Sequence, residues 1–127
     1  MDKIEFPYDS NYTPPAPVIE VILTTITRTH RHQVSALVDT GADATIAPVK
    51  MLRQIGARPA FASQLRSQWG EYRSVLLYLV DIQIGEQVFP GVYVVGDNLG
   101  NDVILGRDIL NRMRIILDGP QGQILVD

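Results

Sequence analysis

The sequence predicts a mostly-β fold, a closed barrel or a sandwich. Three observations predict it. Short runs rich in Val, Ile and Leu recur along the 127 residues, separated by Gly, Pro, Asn and Asp clusters. Only two short stretches, after Pro48 and from Asp108 to Met113, read as helix. There is no internal repeat and no low-complexity tract. A hydrophobic share of 46% over this length suits one domain whose core needs no covalent staples.

The elements follow in chain order. Residues 1–17 read as a proline-rich N-terminal arm, ahead of a domain spanning 18–127. Pro7, Pro14, Pro15 and Pro17 are expected to keep the arm out of regular structure, and Pro14-Pro15-Ala16-Pro17 favours an extended chain. Val18 to Thr27 has no breaker and many β-branched residues, so it reads as a strand. Arg28 to His32 is a polar turn, and Gln33 to Val38 returns as a second strand ending at Asp39. Pro48 suits the first turn of a short helix, with Val49, Leu52 and Ile55 at helical spacing and Gly56 as its stop. Phe61 to Ser74 is ambiguous. Val75 to Ile84 and Gln87 to Val95 are strands around a Gly85-Glu86 turn, and Gly96 to Asn101 is a loop. Val103 to Leu105 is a short buried strand. Arg114 to Leu117 and Gln123 to Val126 flank an Asp118-Gly119-Pro120 turn and form a terminal hairpin.

Composition removes several classes of function. There is no cysteine, which excludes disulfides, thiol catalysis and thiolate metal sites. A net charge of -3 argues against a nucleic-acid partner. Met1 to Ser10 carries Asp2, Lys3 and Glu5 without an apolar run, unlike a signal peptide. No stretch approaches the roughly 20 apolar residues that span a bilayer. A cytoplasmic protein with no membrane partner is the expectation. His30 and His32 share a strand face but lack further ligands, so they read as a solvated turn. Residues 96–102 lack the spacing and terminal glutamate of an EF-hand loop.

Two motifs carry chemistry. The first is Val38-Asp39-Thr40-Gly41-Ala42-Asp43. The second, far downstream, is Ile104-Leu105-Gly106-Arg107-Asp108-Ile109-Leu110. Together, in this order and separation, they resemble the retropepsin-like aspartic proteases, the single-domain relatives of pepsin, over roughly residues 18–127. The resemblance implies a closed β-barrel with one or two short helices that holds half of a two-fold active site per chain.

Amide hydrolysis needs a water activated as nucleophile and a proton supplied to the carbonyl oxygen. Two carboxylates held a few ångström apart cannot both ionise, so they share one proton and titrate as a pair. One then acts as base and the other as acid. This chain has one Asp-Thr-Gly turn, so the second aspartate must come from a second copy; a two-fold axis presents the same residue from both subunits. The expected function is a homodimeric aspartic endopeptidase acting on peptides or proteins, with Asp39 catalytic and no cofactor. The alternative is a latent or non-catalytic peptide-binding or assembly module on the same fold.

The resemblance also assigns supporting roles. The Thr40 hydroxyl braces the paired turns, and Gly41 lets a backbone N–H approach the carboxylate. Pepsin-like enzymes often carry serine where this chain has Ala42; loss of that hydroxyl favours work nearer neutral pH. Asp43 and Arg107 are expected to pair. A flap hairpin over residues 65–75 is expected to cover substrate, with its tip at Gln68, Trp69, Gly70 and Glu71. Retroviral flaps carry several glycines, whereas this tip has only Gly70. Trp69 is either a cover for substrate or a core residue. Ile46, Val75, Leu76 and Ile104 are expected to line substrate pockets, and Met51 and Met113 to join the core. Gln123 to Val126 is expected to be an interface strand whose edge needs a partner. The arm is left as a cover for the interface, an autoinhibitory segment in the cleft, or a tail.

Overall fold

β-branched residues without breakers make a hairpin of β2 (Val18–Thr24) and β3 (Arg31–Val38), paired antiparallel from Val18↔Leu37 to Thr24↔Arg31. The computed structural model describes residues 3–27, 29–66 and 69–127. Beside β3 runs the parallel β8 (Val103–Leu105), then the short β4 (Ile46–Pro48), then β7 (Gln87–Asp97) and β6 (Tyr72–Ile84). β6 pairs back onto β2 at Ile22↔Gln83 to Thr24↔Asp81, which closes a six-stranded barrel. A further strand, β5 (Pro59–Arg66), continues the sheet outside β6. Helices α1 (Val49–Gln54) and α2 (Arg107–Leu110) are short. Among the described residues no helix is long and apolar enough to cross a membrane.

Period-two alternation fills the barrel. Ile19, Val21 and Leu23 of β2 point inward and are fully buried, as are Ile82, Val94, Val103 and Leu105. Each such side chain contributes about 1.5–3 kcal/mol of burial. Leu52 of α1 and Ile109 of α2 cap the same core. Met51 and Met113 are partly buried against it.

A second sheet holds both chain ends. Its order is β1 (Ile4–Pro7), β10 (Gln123–Val126), β9 (Ile115–Asp118), antiparallel throughout. This corrects two expectations. The arm is not irregular throughout: Ile4–Pro7 forms a strand, and Asp9 bridges Ala16. Proline is compatible with this because Pro7 ends an edge strand. And Gln123–Val126 has no open edge, since β1 and β9 flank it.

Smaller differences have local causes. Ile46–Pro48 forms a strand too short for any periodicity to reveal. α2 stops at Leu110 rather than Met113. The segment that reads ambiguously from 61 onward is β5, whose side chains are almost all exposed, so no alternation marks it.

The arm also has an electrostatic contact. Burial, then the negative charge of the nearby Asp102 carboxylate, hold the Tyr12 phenol above its usual range. A phenol raised in the folded state stabilises below its ordinary titration range and loses that contribution as pH rises through the folded value. Arm docking is therefore expected to be insensitive to pH near neutrality and to loosen only in alkali. Ultraviolet phenolate titration of the wild type against Tyr12→Phe isolates this group; Asp102→Asn should lower its midpoint, and an unchanged midpoint contradicts the contact.

Candidate active site

The Asp39 turn is built where two parallel strands end together. Val38 and Leu105 are register partners at the ends of β3 and β8, and the Asp39 N–H donates to the Leu105 carbonyl at 3.1 Å. The Ala42 N–H donates back to the Asp39 carbonyl at 3.2 Å, closing the turn. The Gly41 N–H donates to Asp39 Oδ1 at 2.9 Å. A Cβ on Gly41 would sit 3.1 Å from that oxygen, so glycine allows the backbone this close. One carboxylate oxygen is thus held by the chain itself, and the side chain is half-buried rather than sealed.

The second motif clasps the turn from below. The Arg107 N–H donates to the Ala42 carbonyl at 2.8 Å, and Arg107 Nη1 to the Thr40 carbonyl at 2.6 Å. Arg107 Nη2 pairs with Asp43 Oδ1. That ion pair is solvent-facing, with Asp43 84% exposed, so it adds at most about 1 kcal/mol. Arg107 acts mainly through its bonds to the two turn carbonyls.

Deeper down, Thr45 Oγ1 donates to Asp108 Oδ1 at 2.8 Å and accepts from the Gly106 N–H at 3.2 Å. The Thr45 N–H donates to Asp108 Oδ2 at 3.1 Å, and the Ile109 N–H to Asp108 Oδ1 at 3.0 Å. Thr45 is fully buried. Neither Thr45 nor Asp108 was assigned a role from sequence. A signal existed: a hydroxyl in the apolar run Ala44-Thr45-Ile46-Ala47 must find a partner if buried. Thr45→Val is expected to lower stability by about 2 kcal/mol, because the buried Gly106 N–H loses its acceptor. A urea midpoint within error of wild type would refute this network.

Beside the turn lies an open cleft of about 530 Å³. Its lining brings together Ile46, Ile104, Val75 and Leu76, the four residues expected at substrate pockets. Ile46 and Ile104 are register partners between β4 and β8. Arg73 and Asp97 add charge to its walls. Asp39 is not part of this lining; Ile104 lines the cleft while its neighbour Leu105 holds Asp39, so cleft and carboxylate occupy adjacent strands.

β5 and β6 project as a hairpin over the cleft side, paired at Leu65↔Arg73 and Arg66↔Tyr72. Trp69 is 81% exposed and so is not core. Gly70 takes φ 84°, a left-handed conformation that suits glycine. Glu71 is exposed, and Gln68 lies outside the described residues. Thr40 is exposed at the front of the turn and Ala42 half-buried behind it. Among the described residues no group of three or more acidic or histidine side chains could hold a metal ion.

A family model described as "gag-polyprotein putative aspartyl protease" matches residues 26–112, more than half of the chain and both motifs. The chain belongs to this retropepsin-like aspartic protease family. Solved structures agree on the retropepsin-like fold. A retropepsin-like aspartic protease from Rickettsia conorii matches at TM-score 0.70 and 14% identity, over 98% of this chain and 90% of that one. The EIAV protease in complex with the inhibitor HBY-793 matches at TM-score 0.60 and 20% identity, over 76% and 86%. The retroviral protease-like domain of Ddi1 from Leishmania major matches at TM-score 0.53 and 19% identity, over 87% and 89%. No curated protein matches the chain. The chain supplies a single Asp-Thr-Gly turn.

Proposed function

We propose that this chain is one half of an aspartic endopeptidase, completed by a second copy. The observation that supports it is a lone aspartate on a turn immobilised by β3, β8 and α2, beside an apolar cleft. Two Asp39 side chains meeting across a two-fold axis share one proton. The ionised one takes a proton from a water, which attacks the scissile carbonyl carbon. The protonated one gives its proton to the carbonyl oxygen. Breakdown of the tetrahedral species returns a proton to the leaving nitrogen and cleaves the C–N bond. The Gly41 N–H engages Oδ1, which leaves Oδ2 of each carboxylate for the water and the substrate oxygen.

Ile46, Ile104, Val75 and Leu76 offer apolar pockets to side chains flanking the cut, and Trp69 lies on the hairpin that closes over the peptide. No cofactor takes part. Apolar pockets discriminate weakly, so a broad preference follows.

A second reading is a peptide-binding module that grips without cutting. The exposed Trp69 on a tip with only one glycine favours it. Mass-spectrometric profiling of a complex peptide mixture incubated with micromolar protein from acid to neutral pH separates the two. New termini that disappear in Asp39→Asn support the peptidase. Absence of new termini at every pH, with peptide binding lost in Trp69→Ala, supports the module instead.

A further inference from the structure

A second hollow, of about 600 Å³, adjoins the cleft, between α1 and the loop that follows β7. Strand register explains its place. β4 runs parallel to β7, so Ile46 lies beside Val95 in the cleft and Pro48 beside Asp97 at the hollow. Pro48 leads directly into α1, and β7 ends at Asp97, so helix and loop leave the same strand end. Asp97, Asn98 and Leu99 line both spaces and form the ridge between them. Leu99 is 77% exposed on that ridge. The hollow differs from the cleft in charge. Lys50 and Arg53 line it, three positions apart and so on one face of α1, and both are exposed. Among the described residues neither makes a salt bridge. The acidic residue in the same lining is Asp97, whose Oδ1 already accepts the Leu99 N–H at 2.9 Å.

We infer that this hollow is a second substrate site, which takes acidic side chains of a polypeptide whose apolar residues occupy the cleft. Ile46 and Pro48 are two strand positions apart, roughly 7 Å, so about three residues of extended peptide cover the step. The peptide crosses Leu99, covers that exposed apolar side chain, and sets its carboxylates against Lys50 and Arg53. Two cations on a chain of net charge -3 suit a short acidic stretch of peptide. A phosphate backbone needs a broader basic face. The pairs formed are solvent-facing, so their contribution is modest and sensitive to salt. The apolar cleft discriminates weakly by itself, and the hollow supplies a selection that the cleft lacks. The inference rests on reading the cleft as a peptide site, and not on whether the peptide is cut.

Fluorescence anisotropy with Asp39→Asn protein, which binds peptide without consuming it, tests the site. The probes are labelled peptides with a common apolar centre, flanked on both sides by runs of Glu, Gln or Lys. At low salt the Glu peptide is expected to bind about fivefold more tightly than the Gln peptide. The net charge of -3 opposes that order, so overall charge does not produce it. Adding Lys50→Glu and Arg53→Glu together should abolish the preference, leave the affinity for the Gln peptide unchanged, and favour the Lys peptide. Salt at about 1 M should also erase it. Arg58→Glu reverses a charge on the lining of a different hollow and should keep it. All three side chains are exposed, and urea midpoints confirm that the variants fold. Equal binding of Glu and Gln peptides, or a preference that survives the double substitution, would overturn the site. So would a preference lost equally in Arg58→Glu. Turnover by wild type is measured separately. An acidic preference around an inert wild type removes the peptidase reading and leaves this site. Turnover without an acidic preference does the reverse. Failure of every probe to bind removes the cleft reading and this site with it.

Discussion

Asp39→Asn is expected to reduce peptide hydrolysis by about 10⁴-fold, near the upper end for loss of acid–base catalysis. On the paired-aspartate proposal the substitution is severe, because one residue, supplied twice, would carry both the base and the acid role. Asparagine cannot take a proton from water at neutral pH, and its amide cannot donate as a carboxylic acid does. The fold should survive. Asn retains an oxygen to accept the Gly41 N–H, and the other bonds of the turn run through the backbone of Asp39 to Leu105 and Ala42. Turnover of a peptide chosen from the profiling, measured beside the urea midpoint, checks both halves. Unchanged turnover would place the activity elsewhere; a collapsed midpoint would make the loss of activity uninformative.

Gly106→Ala is expected to cost about 3 kcal/mol, at the high end for overpacking. A Cβ there would lie 2.6 Å from both the carbonyl carbon and oxygen of Ala44, and 2.9 Å from the Ala42 carbonyl oxygen. These are backbone atoms, and none can swing aside. The Ala42 carbonyl is already committed to the Arg107 N–H. Relief requires the second motif to retreat from the Asp39 turn, so activity should fall along with stability. Gly119→Ala is the control. Gly119 has open space around its would-be Cβ and no left-handed backbone, so the change should stay within about 0.5 kcal/mol. Equal urea midpoints for the two variants would show that the close approach at Gly106 is not structural.

Much of the barrel was legible because its strands are short apolar runs between turns. β2, β6 and β7 are rich in Val, Ile and Leu and lie between glycine or polar turns, and they appear close to where that composition put them. The Asp39 turn and the Gly106 step were legible as local chemistry. Other parts left weaker traces. β4 has three residues, too few for a period. β5 buries almost nothing, so no alternation marked it. The arm's prolines suggested irregularity, yet Ile4–Pro7 sits at a sheet edge where a missing N–H is tolerated.

The Thr45–Asp108–Gly106 network shows the same division. Each residue is visible in the sequence, but the residues it joins are more than sixty positions apart.

By itself the sequence determined a single Asp39 on a Thr-Gly turn, a distant Gly106-Arg107-Asp108, the absence of cysteine and short breaker-free runs rich in apolar residues. Those are properties of residue type and near-neighbour spacing, and they are settled by local sterics and hydrogen-bonding capacity. Only the tertiary structure decided that Thr45 is a buried link between the two motifs, that Ile46, Val75, Leu76 and Ile104 share one cleft, and that β10 is enclosed while β9 lies, among the described residues, at the sheet edge. Those depend on which backbone groups find partners across the sheet. Strand pairing is non-local, and a chain's spacing pattern does not say which of several apolar strands will lie at the edge.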